Sequence, residues 1–219
     1  AGQSFREICS TLKSLGRFRD FAWLSLCGFL YQSGIAVVIT LSAVYAAEVM
    51  GFTTVATLLL VFLVNITAAV GAFGFGYLQD RIGHKRALGI TLIVWVLMIV
   101  LAAMVVNRPV FWTAANLAGL AMGSSQSAGR AIVAILSPKT RSAEFFSFWN
   151  MALWLAAIVG PRAYGSVTWI TNNEHRLAIC VTGRFFAAAG LALIPVNLER
   201  GRRVAEETDA ASRGTTSDH

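Results

Sequence analysis

Gly76-Tyr77-Leu78-Gln79-Asp80-Arg81-Ile82-Gly83-His84-Lys85-Arg86 is a short charged segment between two long apolar segments. No charged residue occurs in residues 54–79 before it or in residues 87–106 after it. Each flank is long enough for a helix to cross the hydrocarbon core of a bilayer, which takes about 20 residues. The charged segment is therefore a predicted connector between two membrane-spanning helices.

Composition also indicates a membrane protein. Hydrophobic residues make up 56% of the chain and charged residues 13%, whereas a soluble domain carries about 25% charged residues. The mean hydropathy is +0.64. The net charge of +7 would suit a nucleic acid, but the basic residues form short clusters between apolar segments. Lipid headgroups would meet them there, so we expect a lipid bilayer as partner and no nucleic acid.

Six apolar segments predict an all-α polytopic membrane protein. The connectors are short, and a backbone inside lipid must satisfy its own hydrogen bonds, so a six-helix bundle is expected. A basic cytoplasmic leader (1–20) precedes the bundle (21–198), and a polar cytoplasmic tail (199–219) is predicted to be disordered. The predicted helices cover residues 21–47, 54–79, 87–106, 110–136, 143–170 and 176–198.

The distribution of basic residues predicts the orientation. Arg81, Lys85 and Arg86 lie in the second connector, on the same side as the basic leader. The opposite connectors hold only Arg108 and Arg176. Because cytoplasmic connectors carry the excess of Lys and Arg, both termini are predicted to be cytoplasmic. A bacterial inner membrane is the location that we expect.

The glycines and charges of the connector are spaced in a pattern. Two glycines permit close helix approach and a tight turn, and an aspartate between them can meet a helix N-terminus and a nearby arginine. The pattern Gly-x-Leu-x-Asp-Arg-x-Gly-x-Lys-Arg closely resembles the signature loop of the major facilitator superfamily, and this resemblance implies a loop that latches the outward-facing state. The alternative is an ordinary positive-inside connector with a capping aspartate. The predicted gating residues are Gly76, Asp80, Arg81, Gly83, Lys85 and Arg86.

Further segments resemble one branch of that superfamily, the vacuole-effluxer-like transporters. The similarity runs from Phe29 to Arg203 and is to the second, C-terminal six-helix half. Fungal members are associated with amino-acid export from the vacuole, so the resemblance implies efflux of a small solute such as an amino acid, with a proton as a candidate coupling ion. The segments that carry it are Tyr31 to Gly34, Ala46-Ala47-Glu48-Val49-Met50-Gly51, Met122 to Arg130, Glu144-Phe145-Phe146, Gly160-Pro161 with Gly165, and Arg176-Leu177-Ala178-Ile179.

The chain departs from this branch in three ways. Gln32-Ser33 stands where the branch tends to place Asn-Asp, which removes the carboxylate that proton coupling would use. Arg162 follows Gly160-Pro161, where an apolar residue is usual. The superfamily also builds its pathway from two six-helix halves, and one half is present here. We therefore expect the chain to need a complementary half or a second copy in a homodimer.

Polar residues on the predicted helices indicate a solute pathway. The clearest stripe lies on the fourth helix, where polar and small residues recur at three- and four-residue intervals and share one face. Its members are Asn116, Gly119, Gly123, Gln126, Ser127 and Arg130. Polar side chains from several helices would form a midplane cavity, with Trp154 as an aromatic wall; hydrogen bonding between helices is the alternative at each position. The predicted pathway residues are Gln32, Asn65, Asn116, Gln126, Asn150 and Trp154.

Two further positions are candidates for function. Arg130 is an intramembrane charge, which is a functional candidate by default. It is predicted either to hold an anionic group or to snorkel toward the cytoplasmic headgroups and form an ion pair with Glu144. In the fifth helix Gly160-Pro161 frees backbone carbonyls and is a predicted hinge, with close packing as the alternative.

The sequence does not indicate an enzyme. The three histidines, His84, His175 and His219, lie in connectors or at the end of the chain, so an intramembrane serine protease would lack its base. No spacing of His, Cys and carboxylates provides three or four metal ligands, and we expect no metal and no cofactor. The predicted function is secondary active or facilitative transport by alternating access, as half of a transporter. The alternative is a non-transporting fragment or a membrane scaffold that binds another membrane chain.

Overall fold

The computed structural model describes residues 16–44, 46, 51–103, 107–170 and 175–214. These residues are almost entirely helical and contain no β-strand, which confirms the all-α fold. The helices are α1 (Arg19–Val44), α2 (Thr54–Ile82), α3 (His84–Ala103), α4 (Arg108–Leu136), a short 3-10 helix (Lys139–Arg141), α5 (Ser142–Ile170), α6 (His175–Leu193) and α7 (Leu198–Gly214).

Six long helices lie at the positions of the six apolar segments, and their ends differ from the predicted ones by a few residues. The largest change concerns the charged connector, which is mostly helical. Its first residues continue α2 to Ile82, its last residues begin α3 at His84, and Gly83 alone separates the two helices. Gly83 has φ +88°, a conformation that costs a glycine little because it has no Cβ.

Four helical stretches among the described residues are long and apolar enough to cross a membrane, judged by length and composition. They cover residues 19–40, 54–82, 84–102 and 139–166, and α6 adds a shorter apolar stretch, Thr182–Leu193. Helix α4 is long enough to span a membrane, with 29 residues. It is not one of the four stretches, because polar side chains such as Asn116, Gln126 and Arg130 lower its mean hydropathy. The chain is a polytopic integral membrane protein.

The helices form a bundle in which α4 packs against both α2 and α3. On the other side, α1 packs against α5 and α6, and α3 completes the bundle through its contact with α6. Large aromatic side chains fill the centre: Tyr31, Trp95, Trp149 and Phe186 are fully buried. The rings of Trp95 and Phe186 are stacked with centroids 4.7 Å apart, which joins α3 to α6.

Small residues allow α2 and α4 to approach each other closely. A Cβ atom at Gly119 would lie 2.6 Å from the carbonyl oxygen of Val64, and a Cβ at Gly123 would overlap the carbonyl oxygen of Ala68. Such contact between backbones is the usual way in which small residues hold membrane helices together. Gly119 and Gly123, two residues of the α4 stripe, therefore lie at the interface between α2 and α4.

The prediction of a disordered tail is wrong for residues 199–214, because they belong to α7. Asp209 is buried on the inner face of α7 and accepts hydrogen bonds from the backbone N–H groups of Lys139 (2.8 Å) and Thr140 (3.0 Å) and from the Thr140 hydroxyl (2.7 Å). Few apolar residues are present, but they recur on one face, and an amphipathic helix can bury that face against a bundle. Residues 215–219 of the predicted tail lie outside the described residues.

The predicted leader also ends earlier than expected, since α1 begins at Arg19; residues 1–15 lie outside the described residues. Asp20 is buried, accepts the backbone N–H of Asn197 (2.7 Å) and pairs with the Arg200 guanidinium (2.6 Å). The hydrogen bond and charge of Asp20 raise the pKa of Arg200 above its ordinary value. This pair connects the start of α1 to the start of α7.

Candidate functional site

The charged connector is tied to the end of α6 by one lysine. Lys85 donates hydrogen bonds to the carbonyl oxygens of Ile194 (2.8 Å) and Val196 (2.6 Å). Both carbonyls lie in the segment just after Leu193, where α6 ends, and a cation near a helix C-terminus complements the helix dipole. Lys85 therefore binds the α2–α3 connector to the α6–α7 connector.

The predicted contact of Asp80 with a helix N-terminus and an arginine is not formed in this conformation. Asp80 is exposed and has no hydrogen bond or ion pair within the described residues. Arg86 is likewise exposed, while Arg81 lies over the ring of Tyr77, with its guanidinium carbon 4.7 Å from the ring centroid. Three charged residues of the connector thus lie at the surface of the bundle.

A buried residue next to Asp80 makes the connector's contact with α4. Gln79 donates a hydrogen bond to the Ser127 hydroxyl (3.2 Å), and its side-chain oxygen lies 3.2 Å from His84 Nδ1. Sequence reasoning missed Gln79 and His84. The available signal was Ser127, which lies on the polar stripe of α4 and needs a partner on a neighbouring helix.

Two predicted pathway residues come together in the bundle. Gln126 on α4 donates a hydrogen bond from Nε2 to Oε1 of Gln32 on α1, at 3.3 Å. Both side chains are only partly buried, and Gln32 lies near the middle of its helix. This bond leaves Gln126 Oε1 as an acceptor and Gln32 Nε2 as a donor for another molecule.

Two other pathway candidates satisfy themselves within their own helices. Asn116 donates to the carbonyl oxygen of Trp112 (2.8 Å), and Asn65 donates to that of Val61 (2.8 Å). Such local bonds compete with contacts to other helices. The structure therefore does not bring these two amides to the Gln32–Gln126 pair.

The α5 candidates form no hydrogen bond with that pair among the described residues. Asn150 is exposed, and Trp154 has 77% of its surface exposed, so both lie on an uncovered face of α5. Their part in a pathway stays a prediction.

The predicted ion pair between Arg130 and Glu144 is wrong in this structure. Glu144, in the first turn of α5, pairs instead with Arg141 at 2.6 Å, the last residue of the preceding 3-10 helix. Residues three positions apart are neighbours on a helix surface, so this partner is the closer one. Arg130 is exposed and has no ion pair or hydrogen bond among the described residues.

Gly160 and Pro161 lie inside a continuous helix, because α5 runs from Ser142 to Ile170. A Cβ at Gly160 would overlap the carbonyl oxygen of Ser33 on α1. Close packing between α5 and α1 thus accounts for the glycine in this conformation. Bending at this position stays a prediction.

An aromatic cluster formed by Tyr31 and Trp149, next to Gly129, was not predicted. The ring centroids of Tyr31 and Trp149 are 6.4 Å apart. A Cβ at Gly129 would lie 2.7 Å from the Tyr31 hydroxyl oxygen and 3.0 Å from the Trp149 ring. Both polar atoms, the Tyr31 hydroxyl and the Trp149 indole nitrogen, are buried without a hydrogen-bond partner in the described part of the chain.

No group of three His, Cys, Asp or Glu side chains that could hold a metal ion occurs in the described ranges. The side chains near Gln32 and Gln126 offer amides, the Tyr31 hydroxyl and the Arg130 guanidinium. These groups bind solutes through hydrogen bonds and charge.

The sequence is similar to those of known transporters. The sequence profile described as "Vacuole effluxer Atg22 like" matches residues 2–206. An uncharacterized MFS-type transporter of Bacillus subtilis, YxiO, is 28% identical over 171 residues, which cover 78% of this chain and 40% of that protein. Autophagy-related protein 22 of Candida glabrata is 25% identical, over 93% of this chain and 39% of its own length.

The chain thus spans about 40% of the length of these two relatives. Because the family profile covers almost all of the present sequence, this helical membrane protein belongs to the vacuole effluxer Atg22-like family, a branch of the major facilitator transporters.

Proposed function

We propose that this chain forms one six-helix half of a secondary transporter that moves a small solute by alternating access. Both termini lie in the cytoplasm, and the membrane is a bacterial inner membrane. The chain works with a complementary half or with a second copy of itself. Amino acids, the class that the sequence resemblance implies, are the first solutes to test.

The observation that carries this proposal is the hydrogen bond between Gln32 and Gln126. Two amides at mid-helix depth would be costly against lipid, because polar groups in an apolar environment lose their bonds to water. Intramembrane polar groups usually face a bundle interior or a water-filled cavity. A polar pair that retains a free donor and acceptor suits a solute site at the midplane.

The charged connector supports a second half as partner. Lys85 and Gln79 hold the connector to this bundle, while Asp80, Arg81 and Arg86 are left at its surface. We infer that these exposed charges act as the gate by contacting the other half in one conformation and separating from it in the other. The greater length of the relatives is consistent with such a partner.

A membrane scaffold is the competing function, and the exposed apolar face of α2 favours it. Val55, Phe62 and Phe73 have 75%, 62% and 83% of their surfaces exposed. Such a face suits lipid or the helix of another membrane chain. A scaffold would bind that chain without moving solute.

The first test is the native mass of this chain, expressed alone, extracted in mild detergent and corrected for bound detergent. A discrete dimer supports a symmetric half-transporter. The dimer is then reconstituted in liposomes for counterflow of L-alanine, L-leucine and L-lysine. A monomer without counterflow contradicts transport by two copies of this chain and is the result expected both for a membrane scaffold and for a half that needs a complementary partner.

The second test is the double variant Asp80→Asn with Gln126→Ala. We expect counterflow to fall about tenfold or more, because a lost hydrogen bond to a charged or buried group costs roughly 1.5–3 kcal/mol. The matched control is Glu207→Gln with Thr113→Ala, since Glu207 is exposed on α7 and Thr113 is exposed on α4. Counterflow that survives the first pair and the control equally would refute the assignment.

A further inference from the structure

Arg130 is a positive charge without a negative partner in the described structure. It lies on α4, six positions before the helix ends at Leu136 (136 − 130 = 6). The acidic residues described in α1 to α6 lie near helix ends, and two of them, Asp20 and Glu144, already have arginine partners. A guanidinium in the inner half of a membrane bundle is stabilised by an anion that neutralises it.

The groups around Arg130 are suited to hold such an anion. Gln126 lies one turn away on the same face of α4 and is bonded to Gln32. Gly129, the residue before Arg130, lies against the Tyr31 hydroxyl, because a Cβ at this glycine would be 2.7 Å from the hydroxyl oxygen. Two neighbouring residues of α1, Tyr31 and Gln32, therefore meet the α4 segment 126–130 that carries Arg130.

Tyr31 provides an independent observation at this position. Its side chain is fully buried, and its hydroxyl has no hydrogen-bond partner among the described residues. An unpaired buried donor costs about 1–3 kcal/mol, so a state that supplies an acceptor is favoured. A Cβ would not fit at Gly129 without displacing this hydroxyl, and the glycine thus keeps space for the tyrosine beside the arginine.

We propose that Arg130, Tyr31 and the Gln32–Gln126 pair form a subsite for the carboxylate of the transported solute. This inference rests on the proposed function and deepens it by assigning the residues that recognise a negative charge. The Arg130 guanidinium binds the two carboxylate oxygens through its planar fork. The Tyr31 hydroxyl donates to the same carboxylate once α1 shifts against α4, because the hydroxyl is covered in the present conformation.

The test measures binding rather than flux. The full chain in phosphatidylcholine nanodiscs is titrated calorimetrically with L-alanine and with L-alaninamide, which lacks the carboxylate. We expect saturable binding of L-alanine in the millimolar range or tighter, and at least about tenfold weaker binding of the amide, since one charge-assisted hydrogen bond is worth that factor.

Variants then identify the residues. Arg130→Gln should weaken L-alanine binding about tenfold or more, and Tyr31→Phe should weaken it less, by about fivefold, because it removes one neutral donor. Arg184→Gln is the matched control, since Arg184 is an exposed arginine on α6, outside the proposed subsite, and it should leave binding unchanged. Arg130→Lys separates the subsite from snorkelling: a lysine still reaches the headgroups but lacks the fork, so binding falls if the subsite exists.

Each outcome decides the proposal. Preference for the carboxylate, together with losses in Arg130→Gln and Arg130→Lys, supports it. Absence of saturable L-alanine binding, equal binding of the amide, or equal effects of Arg130→Gln and Arg184→Gln overturns it. Counterflow is recorded separately, so that binding without flux contradicts the proposed function alone, and flux of acid and amide alike contradicts the subsite alone.

Discussion

Replacement of Gly123 by alanine is the sharpest test of how this bundle is held together. A Cβ at this position would overlap the carbonyl oxygen of Ala68 and lie 3.0 Å from the backbone nitrogen of Ala72. Carbon atoms pack best at about 3.5–4.0 Å. Because both neighbours are backbone atoms of α2, no side chain can rotate away, and α2 and α4 must separate.

The expected magnitude follows from two opposing effects. Overpacking a well-packed interface costs typically 1–3 kcal/mol, and the upper end applies here because separation also loosens the contact of Gly119 with α2. Alanine gains about 1 kcal/mol over glycine in helix propensity. We therefore expect Gly123→Ala to lower the free energy of unfolding by about 2 kcal/mol.

Gly74→Ala is the matched control on α2, because a Cβ at Gly74 meets no atom within 4 Å. It should raise stability by up to about 1 kcal/mol through helix propensity alone. Reversible unfolding in mixed detergent micelles, followed by circular dichroism, measures both variants. Equal stability of Gly123→Ala and Gly74→Ala would contradict the close backbone contact between α2 and α4 at Gly123.

Three further predictions concern other contacts. Asp209→Asn should destabilise the chain by about 1–2 kcal/mol, since a neutral amide accepts the hydrogen bonds of the α4–α5 connector less strongly; Glu207→Gln, at an exposed site of the same helix, should not. Lys85→Met should cost about 1–2 kcal/mol by leaving two carbonyl oxygens at the end of α6 without their donor, whereas Arg86→Met should change the unfolding midpoint little. Gly160→Ala should lower the free energy of unfolding by about 1–3 kcal/mol, because its Cβ would overlap the backbone of α1. A variant that melts at the wild-type temperature would contradict this packing.

The candidate site shows where sequence patterns are informative and where they stop. The stripe on α4 predicts Gln126 as a pathway residue with hydrogen bonding between helices as the alternative, and the structure shows such a bond, to Gln32 on α1. The same stripe could not show that Gly119 and Gly123 serve a helix interface while Arg130 faces an open surface. Periodicity defines a face of a helix, but it does not reveal which neighbour covers each part of that face.

Two predictions were wrong because each overlooked a partner that the folded chain provides. Arg130 is the predicted ion-pair partner of Glu144, but Arg141 lies only three positions before Glu144 and forms the pair. The tail was assigned to disorder because of its polarity, yet Asp209 finds backbone donors that only the folded connector presents. Low hydrophobicity predicts disorder only when no partner surface exists.

The sequence by itself determined the membrane environment, the number and approximate extent of the long helices, and the connector at Gly83. These properties depend on local composition and on the need of backbone groups in lipid to bond within their own helix. Tertiary structure alone decided that Lys85 binds the segment after α6, that α7 docks on the bundle, and that Tyr31 lies against Gly129. Those contacts join residues far apart in the chain, so they depend on how the helices pack and not on any local pattern.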